Sequence, residues 1–222
     1  MPKKIIIMIG PPGSGKGTQA KKIAAKYNYG HISTGDLIRA LGARTDLDSR
    51  DKEIIENTVK KGMLAPDELI YRLTFREIDK NLAEGRGVVL DGAVRNVAQA
   101  AEFQKFFDSR NLGGEAVAIE IALSDEDAYD RLAKRRVCGS CGEIIPWLPE
   151  TKGITSCPKC GGTLSIRQDD DPEVIKKRIA EQGNKALAPI LEYYAKMGML
   201  KKINGDQPIE KVEADLDEFL NS

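Results

Sequence analysis

Little in this sequence favours a charged partner or a membrane. Lysine plus arginine equals aspartate plus glutamate, at 34 each, so no net field draws the chain to nucleic acid or to an anionic bilayer. Any anionic ligand has to be gripped by local clusters. The longest apolar stretch near the start, Ile5 to Ile9, is far too short to span a bilayer, and no basic segment with an apolar run and cleavage site precedes it. A soluble, cytoplasmic protein is the expectation. Histidine occurs once, at His31; it closes a strand-like segment and reads as a packing or hydrogen-bonding group rather than a catalyst. Cysteine occurs only in two close pairs, a poor pattern for a secreted disulfide scaffold of this size. Internal repeats and low-complexity tracts are absent. At 222 residues the chain suits one sizeable core carrying insertions better than two independent domains.

What is present begins with Lys3-Lys4-Ile5-Ile6-Ile7-Met8-Ile9, a continuous β-branched run of the kind buried on both faces of a parallel sheet. A glycine-rich turn follows, then a helix over about Lys16 to Tyr27 with Ala20, Ile23, Ala24 and Tyr27 on one face. Val88 to Leu90 and Ala116 to Leu123 read as further buried strands, separated by helices around Asp67 to Glu84 and Val97 to Ser109, with Leu200 to Ile203 as a last strand. Such alternation implies a parallel, doubly wound α/β core, because parallel neighbours need crossover helices. Two stretches break the pattern: a polar, helical one from about Ile32 to Ala65, and a Gly-, Pro- and Cys-rich one from Cys138 to Ser165. Beyond the second, Asp169-Asp170-Asp171-Pro172-Glu173 signals a helix start, and one long helix to about Tyr194 is expected.

Gly10-Pro11-Pro12-Gly13-Ser14-Gly15-Lys16-Gly17-Thr18 lies directly after the first strand and opens a helix, the context a phosphate-binding loop requires. Glycines let the turn close so that successive N–H groups and the helix N-terminus point inward, and Lys16 adds a full charge at the β/γ-phosphates. The general motif has Ser or Thr directly after the lysine; here Gly17 intervenes and the hydroxyl comes at Thr18. Ser33-Thr34-Gly35-Asp36 reads as a helix cap with Arg39 one turn on.

Cys138-x2-Cys141 and Cys157-x2-Cys160, with fifteen residues between the pairs, fall within the spacing of a four-thiolate zinc site. Gly142 and Gly161 each follow the second cysteine of a pair, where a tight turn takes positive φ. Four sulfurs complete tetrahedral Zn2+ and leave no open position, so the metal would be structural, supplying most of the folding energy of a segment with few large apolar side chains. Iron in the same site, two redox-active dithiols and a small disulfide fold are the other readings.

Gly10 to Gln19 resembles the phosphate loop of adenylate kinases and related nucleoside-monophosphate kinases, in which glycine and threonine follow the lysine. The similarity continues in order through His31 to Arg39, Lys61 to Asp67, Asp91-Gly92 with Arg95, Asp130-Arg131 to Arg135-Arg136, and Arg167 to Arg178. It implies a P-loop NTPase-type doubly wound parallel sheet flanked by helices, made of residues 1–31, 66–136 and 170–222. Residues 32–65 would form a helical monophosphate-binding insertion, and 137–169 a zinc-ribbon-like lid that closes over ATP and excludes water. The implied reaction is reversible phosphoryl transfer from ATP to AMP giving two ADP, in purine nucleotide homeostasis, by a monomer that binds neither nucleic acid nor membrane.

Residue by residue, the resemblance puts Gly10, Gly13, Ser14, Gly15, Lys16, Gly17, Thr18, Arg131 and Arg135 on ATP. Thr34, Arg39, Met63, Leu64, Ala65, Gly92, Arg95, Gln99, Arg167 and Arg178 would hold AMP. Lys16, Arg95, Arg131, Arg135, Arg167 and Arg178 would stabilise the transferring group, Asp91 and Thr18 would hold Mg2+ directly or through water, and Asp169 and Asp170 would hinge or fasten the lid as well as cap the helix. An acceptor phosphate, with a second pKa near ~6, needs no general base at neutral pH. Ala93-Val94 stand where the family usually has phenylalanine and proline, the proline commonly after a cis bond; valine favours trans and a re-routed loop. That loop also suits another acceptor, UMP or CMP. A reading of a different class is a nucleotide-gated binding protein whose zinc ribbon contacts nucleic acid or a partner. Trp147, the only tryptophan, lies in the expected lid, so its fluorescence should report lid closure.

Overall fold

The computed structural model describes residues 3–42, 49–55, 65–147, 151–167 and 170–222. Its centre is a five-stranded sheet in the order β2-β3-β1-β4-β8. These strands are β1 (Ile5–Ile9), β2 (Gly30–Ser33), β3 (Val88–Asp91), β4 (Ala116–Ala122) and β8 (Leu200–Asn204). All four pairings are parallel, with Ile5 opposite Val88 on one side and Ala116 on the other. Parallel order requires crossovers, and they are helical: α1 (Lys16–Tyr27), α4 (Asp67–Ala83), α5 (Val97–Asp108), α6 (Asp125–Lys134), α7 (Pro172–Gln182) and α8 (Asn184–Lys196). Helix α9 (Ile209–Asn221) follows β8, and the short helices α2 (Thr34–Gly42) and α3 (Ser49–Ile55) follow β2.

The apolar run of β1 is buried along its whole length, and its alternate residues face opposite layers. Ile5, Ile7 and Ile9 join one cluster with Phe103 and Phe107 of α5 and Leu187, Ile190 and Tyr194 of α8. Ile6 and Met8 join the other, with Ala20 and Ile23 of α1 and Val212, Leu216 and Leu220 of α9. The sequence therefore predicts β1 and α1 well, while β2, ending at Ser33, shares two residues with the stretch expected to be an insertion.

One expectation is corrected. Instead of a single helix to Tyr194, α7 ends at Gln182 and α8 begins at Asn184, with Gly183 extended between them at φ −81°, ψ −169°. The break is imposed from outside the helix: Asp125 Oδ1 accepts from both the main-chain N–H and the Nδ2 of Asn184, each at 3.0 Å. The start of α7 is as the sequence implies, with Pro172 in its first turn and the Asp171 carboxylate accepting from Glu173 N–H at 3.0 Å.

Between α6 and α7 a small antiparallel sheet, in the order β6-β5-β7, is built from β5 (Arg136–Cys138), β6 (Ile144–Ile145) and β7 (Leu164–Ser165). No helix among the described residues is long and apolar enough to cross a membrane.

Candidate active site

The carboxyl ends of the parallel strands gather the sequence-predicted residues at one edge, the position where open α/β sheets bind ligands. After β1 the chain turns through Gly13 and Gly15, at φ 88° and 90°, into α1. A Cβ on residue 13 would lie 2.8 Å from the Ala128 carbonyl, so glycine lets the loop pack on α6. Helix α1 has no side-chain cap at Gly15, which leaves its first N–H groups free of a side-chain acceptor, and the buried Ser14 Oγ has no protein partner. Orphan donors in a positively polarised turn match what phosphate oxygens require.

Lys16 stands at the head of α1, half-buried, its Nζ donating to Pro11 O at 3.2 Å. Burial lowers its pKa to about 8, against the attraction of Asp91 and with the repulsion of Arg95, Arg178 and Arg135. Asp91, ending β3, feels the converse: burial would push it up, but His31 and the charges of Lys16 and Arg95 hold it below the usual carboxylate range. His31 Nε2 lies 3.8 Å from Asp91 Oδ2. Arg95 is lowered to about 10 by burial and by Arg178, with Asp91 opposing. Its Nε donates to Gly92 O at 3.0 Å and its Nη1 to Gln182 Oε1. Arg135 and Arg178 converge on Asp170, whose side chain is fully buried; Arg135 makes a bidentate pair at 2.7 and 2.8 Å, and Arg178 contacts Oδ1 at 3.2 Å. Among the described residues, Lys16, Arg95, Arg135 and Arg178 thus share two carboxylates, Asp91 and Asp170. A cluster of four cations, two of which are depressed in pKa partly by the others, favours an anion.

Other predicted residues sit differently. Thr34 is buried, its hydroxyl donating to Gly92 O at 2.8 Å. Gln99 is also buried: Oε1 accepts from the Arg95 main-chain N–H at 2.6 Å and Nε2 donates to Asp67 at 2.8 Å, so it braces the Arg95 loop. Every peptide bond described is trans, Ala93–Val94 included. Arg39 is exposed and paired with Asp36 at 2.5 Å. Arg131 reaches the loop after β8, donating to Gly205 O at 3.0 Å and meeting Asp206 at 3.2 Å. Arg167 is half-buried, and its carbonyl accepts from Asp170 N–H at 3.0 Å. Ala65 packs on the core, while Met63, Leu64 and Asp169 lie outside the described residues. Gln182 is a site residue the sequence reading did not single out. Its one signal was lying four residues after Arg178, on the same helical face.

The four cysteines form a second centre. Cys138 Sγ lies 3.5 Å from Cys160 Sγ and Cys141 Sγ 3.6 Å from Cys157 Sγ, and all four sulfurs lie within 4.8 Å of one another. The close contacts run across the two pairs, as a shared centre requires. A tetrahedron with metal–sulfur bonds of about 2.3 Å has edges of about 3.8 Å, so the sulfurs fit a metal ion. Gly142 and Gly161 take φ 71° and 72°, letting each pair turn back under its sulfurs. The N–H of Cys141 lowers the Cys138 thiol to about 6, whereas Cys160, despite the N–H of Gly162, is raised to about 12 by Cys141 and Cys138. Four crowded thiols cannot all ionise without a cation among them.

Comparison with known proteins places these observations in a family. A family model described as "Adenylate kinase" matches residues 8–199. A relative described as adenylate kinase from Lachnospira eligens is 42% identical over 217 residues, covering 94% of this chain and 96% of its own. One from Caldanaerobacter subterraneus subsp. tengcongensis is 39% identical, covering 97% and 95%. One from Bacillus cereus is 38% identical, covering 96% of each chain.

Proposed function

We propose, for a chain that belongs to the adenylate kinase family and is a phosphotransferase, that it moves the γ-phosphoryl group of ATP to AMP and runs the reverse from two ADP. The observation that carries this reading is the convergence of Lys16, Arg95, Arg135 and Arg178 beside the glycine turn.

Phosphoryl transfer through a loose transition state asks the protein mainly to position two nucleotides and to stabilise charge spread over the equatorial oxygens. The turn from Gly10 to Thr18 would hold the donor phosphates through main-chain N–H groups, Ser14 and Lys16. Arg95, anchored on Gly92 O, would clamp the acceptor phosphate, since a guanidinium pairs bidentately with phosphate oxygens. Arg135 and Arg178 would exchange part of their pairing with Asp170 for the transferring group, and Arg131, beside the Gly205 loop, would join them on the transferring and donor phosphates. Asp91, kept ionised at neutral pH and facing the turn, and Thr18 fit a place beside Mg2+, which when bound draws charge from the phosphates. The remaining acceptor residues, Thr34, Arg39, Met63, Leu64, Ala65, Gly92, Gln99 and Arg167, and the hinge role of Asp169 and Asp170, belong to the same proposal.

The division into core, monophosphate-binding insertion and lid goes with it, as do a monomeric state and a cytoplasmic setting. The metal of the four-cysteine centre is proposed to be zinc, held by Cys138, Cys141, Cys157 and Cys160 and closed to substrate because four thiolates complete its coordination. The deciding experiment couples ADP formation from ATP and AMP, and ATP formation from ADP, to a spectrophotometric readout for the unaltered protein and Lys16→Ala, with UMP and CMP as competing acceptors. Equal activity of the two proteins ends the reading, and a preference for UMP or CMP moves it to another acceptor.

A further inference from the structure

We propose that Gln182 is a positioning residue for Arg95, fixing its guanidinium through a neutral acceptor so that the full charge stays available to the acceptor phosphate. This rests on the reading of Arg95 as the clamp on that phosphate. The Arg95 loop is held twice over. Its main chain is fixed by Gln99 Oε1, which accepts from the Arg95 N–H at 2.6 Å. Its side chain is fixed at Nε by Gly92 O, at 3.0 Å, and at Nη1 by Gln182 Oε1. Both side-chain anchors are uncharged, and Nη2 donates to none of the described residues.

The chemistry of position 182 is what matters. A carboxylate there would form a short ion pair with Arg95 in a half-buried site, and an incoming phosphate would have to displace it. An apolar side chain would leave Nη1 without its acceptor and the fork free to rotate. Glutamine does neither, since it aligns the fork and adds no negative charge of its own beside it.

The placement of Gln182 is itself enforced. It is the last residue of α7, and the chain beyond it is bolted to the loop after β4. Asn184 Nδ2 donates to Leu123 O at 2.9 Å, and its main-chain N–H donates to Asp125 Oδ1 at 3.0 Å. A Cβ on residue 183 would lie 2.4 Å from Ile179 O and 2.8 Å from Asp125 Oδ1, so only glycine lets the chain turn there. The end of α7 therefore cannot slide, and Gln182 lines the same cleft as Lys16, Gly92 and Arg95.

The test is steady-state kinetics on the full chain, with AMP varied at saturating ATP and ATP varied at saturating AMP, for Gln182→Glu, Gln182→Met, Arg95→Ala and the double variants. Gln182→Glu is expected to raise KM for AMP about tenfold or more, and Gln182→Met several-fold, with KM for ATP and the melting temperature little moved. In the Arg95→Ala background neither substitution should add a further rise. If Arg95→Ala raises KM for AMP while both Gln182 variants leave it unchanged, the role of Gln182 is refuted and the clamp reading stands. If Arg95→Ala leaves KM for AMP unchanged, the clamp reading falls and this proposal with it. Equal rises in KM for both nucleotides, with a lower melting temperature, would mark Gln182 as merely structural.

Discussion

A Cβ on residue 17 would lie 2.9 Å from Oδ2 of Asp91, so the glycine after Lys16 is what lets the phosphate turn and the carboxylate at the end of β3 come together. The general motif's hydroxyl at this position has no room here, and the hydroxyl moves one residue along, to Thr18. Restoring the general motif with Gly17→Ser should displace Asp91 and lower kcat/KM about tenfold or more, ~1.4 kcal/mol of transition-state stabilisation. The melting temperature should move little. Unaltered kinetics would show that Asp91 has no role near the phosphates.

Lys16 gives a pH signature. Its pKa in the free protein is about 8 against an ordinary 10.5, because burial outweighs the attraction of Asp91. Triphosphate would favour the charged form and raise that value. Below pH 8 the lysine is already charged, so affinity is flat with respect to this group. From pH 8 to 10.5, ATP binding should take up a proton and weaken as pH rises. Calorimetry at pH 9 in buffers of different ionisation enthalpy measures the uptake, and it should vanish in Lys16→Met. For the nucleotide-free protein the sign is opposite: a depressed lysine pKa means the unfolded chain binds more protons in this window, so this group lets stability rise with pH there.

Asp170 should be the most costly surface-distant carboxylate to remove. It alone pairs with both Arg135 and Arg178 among the contacts described, and its side chain is fully buried. Asp170→Ala removes a buried counter-charge that both guanidiniums share, and urea unfolding should show a loss of about 3–5 kcal/mol. A loss below ~1 kcal/mol, the range of exposed pairs, would mean the cluster is solvated in solution.

The cysteine centre should hold one zinc per chain. A thiol reagent is expected to label none of the four cysteines rapidly until a chelator is added, and limited proteolysis should then cut between Arg136 and Arg167. Rapid labelling before chelation, with no metal by atomic absorption, would favour free dithiols.

Trp147 sits under the Arg136 guanidinium, 5.3 Å from ring centre to Cζ, and Arg136 also donates to Ile154 O and Thr151 O. Binding a bisubstrate inhibitor is expected to change the tryptophan emission. Tight binding shown independently, with no spectral change, would count against lid involvement.

Where the signal was local, the sequence was a good guide. The run Ile5 to Ile9, the glycine turn with Lys16, and the cysteine spacing each determine their own structure through burial, backbone freedom or metal geometry, with no need of distant partners. Gly183 shows the limit. A lone glycine in a helical pattern is compatible with a continuous helix, and the break depends on Asp125, a residue on another element. Gln182 was hidden for a related reason, because a neutral polar residue at a helix end has no distinctive pattern until Arg95 is seen beside it. Arg39 and Arg131 were legible as cations but not in their pairing, which is set by Asp36 and by the loop at Gly205.

The alternation along β1 has a mechanical consequence. Lys16 begins a helix seated on the layer under Ile6 and Met8, whereas the loop of Arg95 and helix α8 just after Gln182 are seated on the layer under Ile5 and Ile7. The two hands of the enzyme thus stand on opposite floors of one strand. Trimming a methyl from one floor should loosen one hand while leaving the other firm, which would let the proposed donor and acceptor grips be adjusted separately.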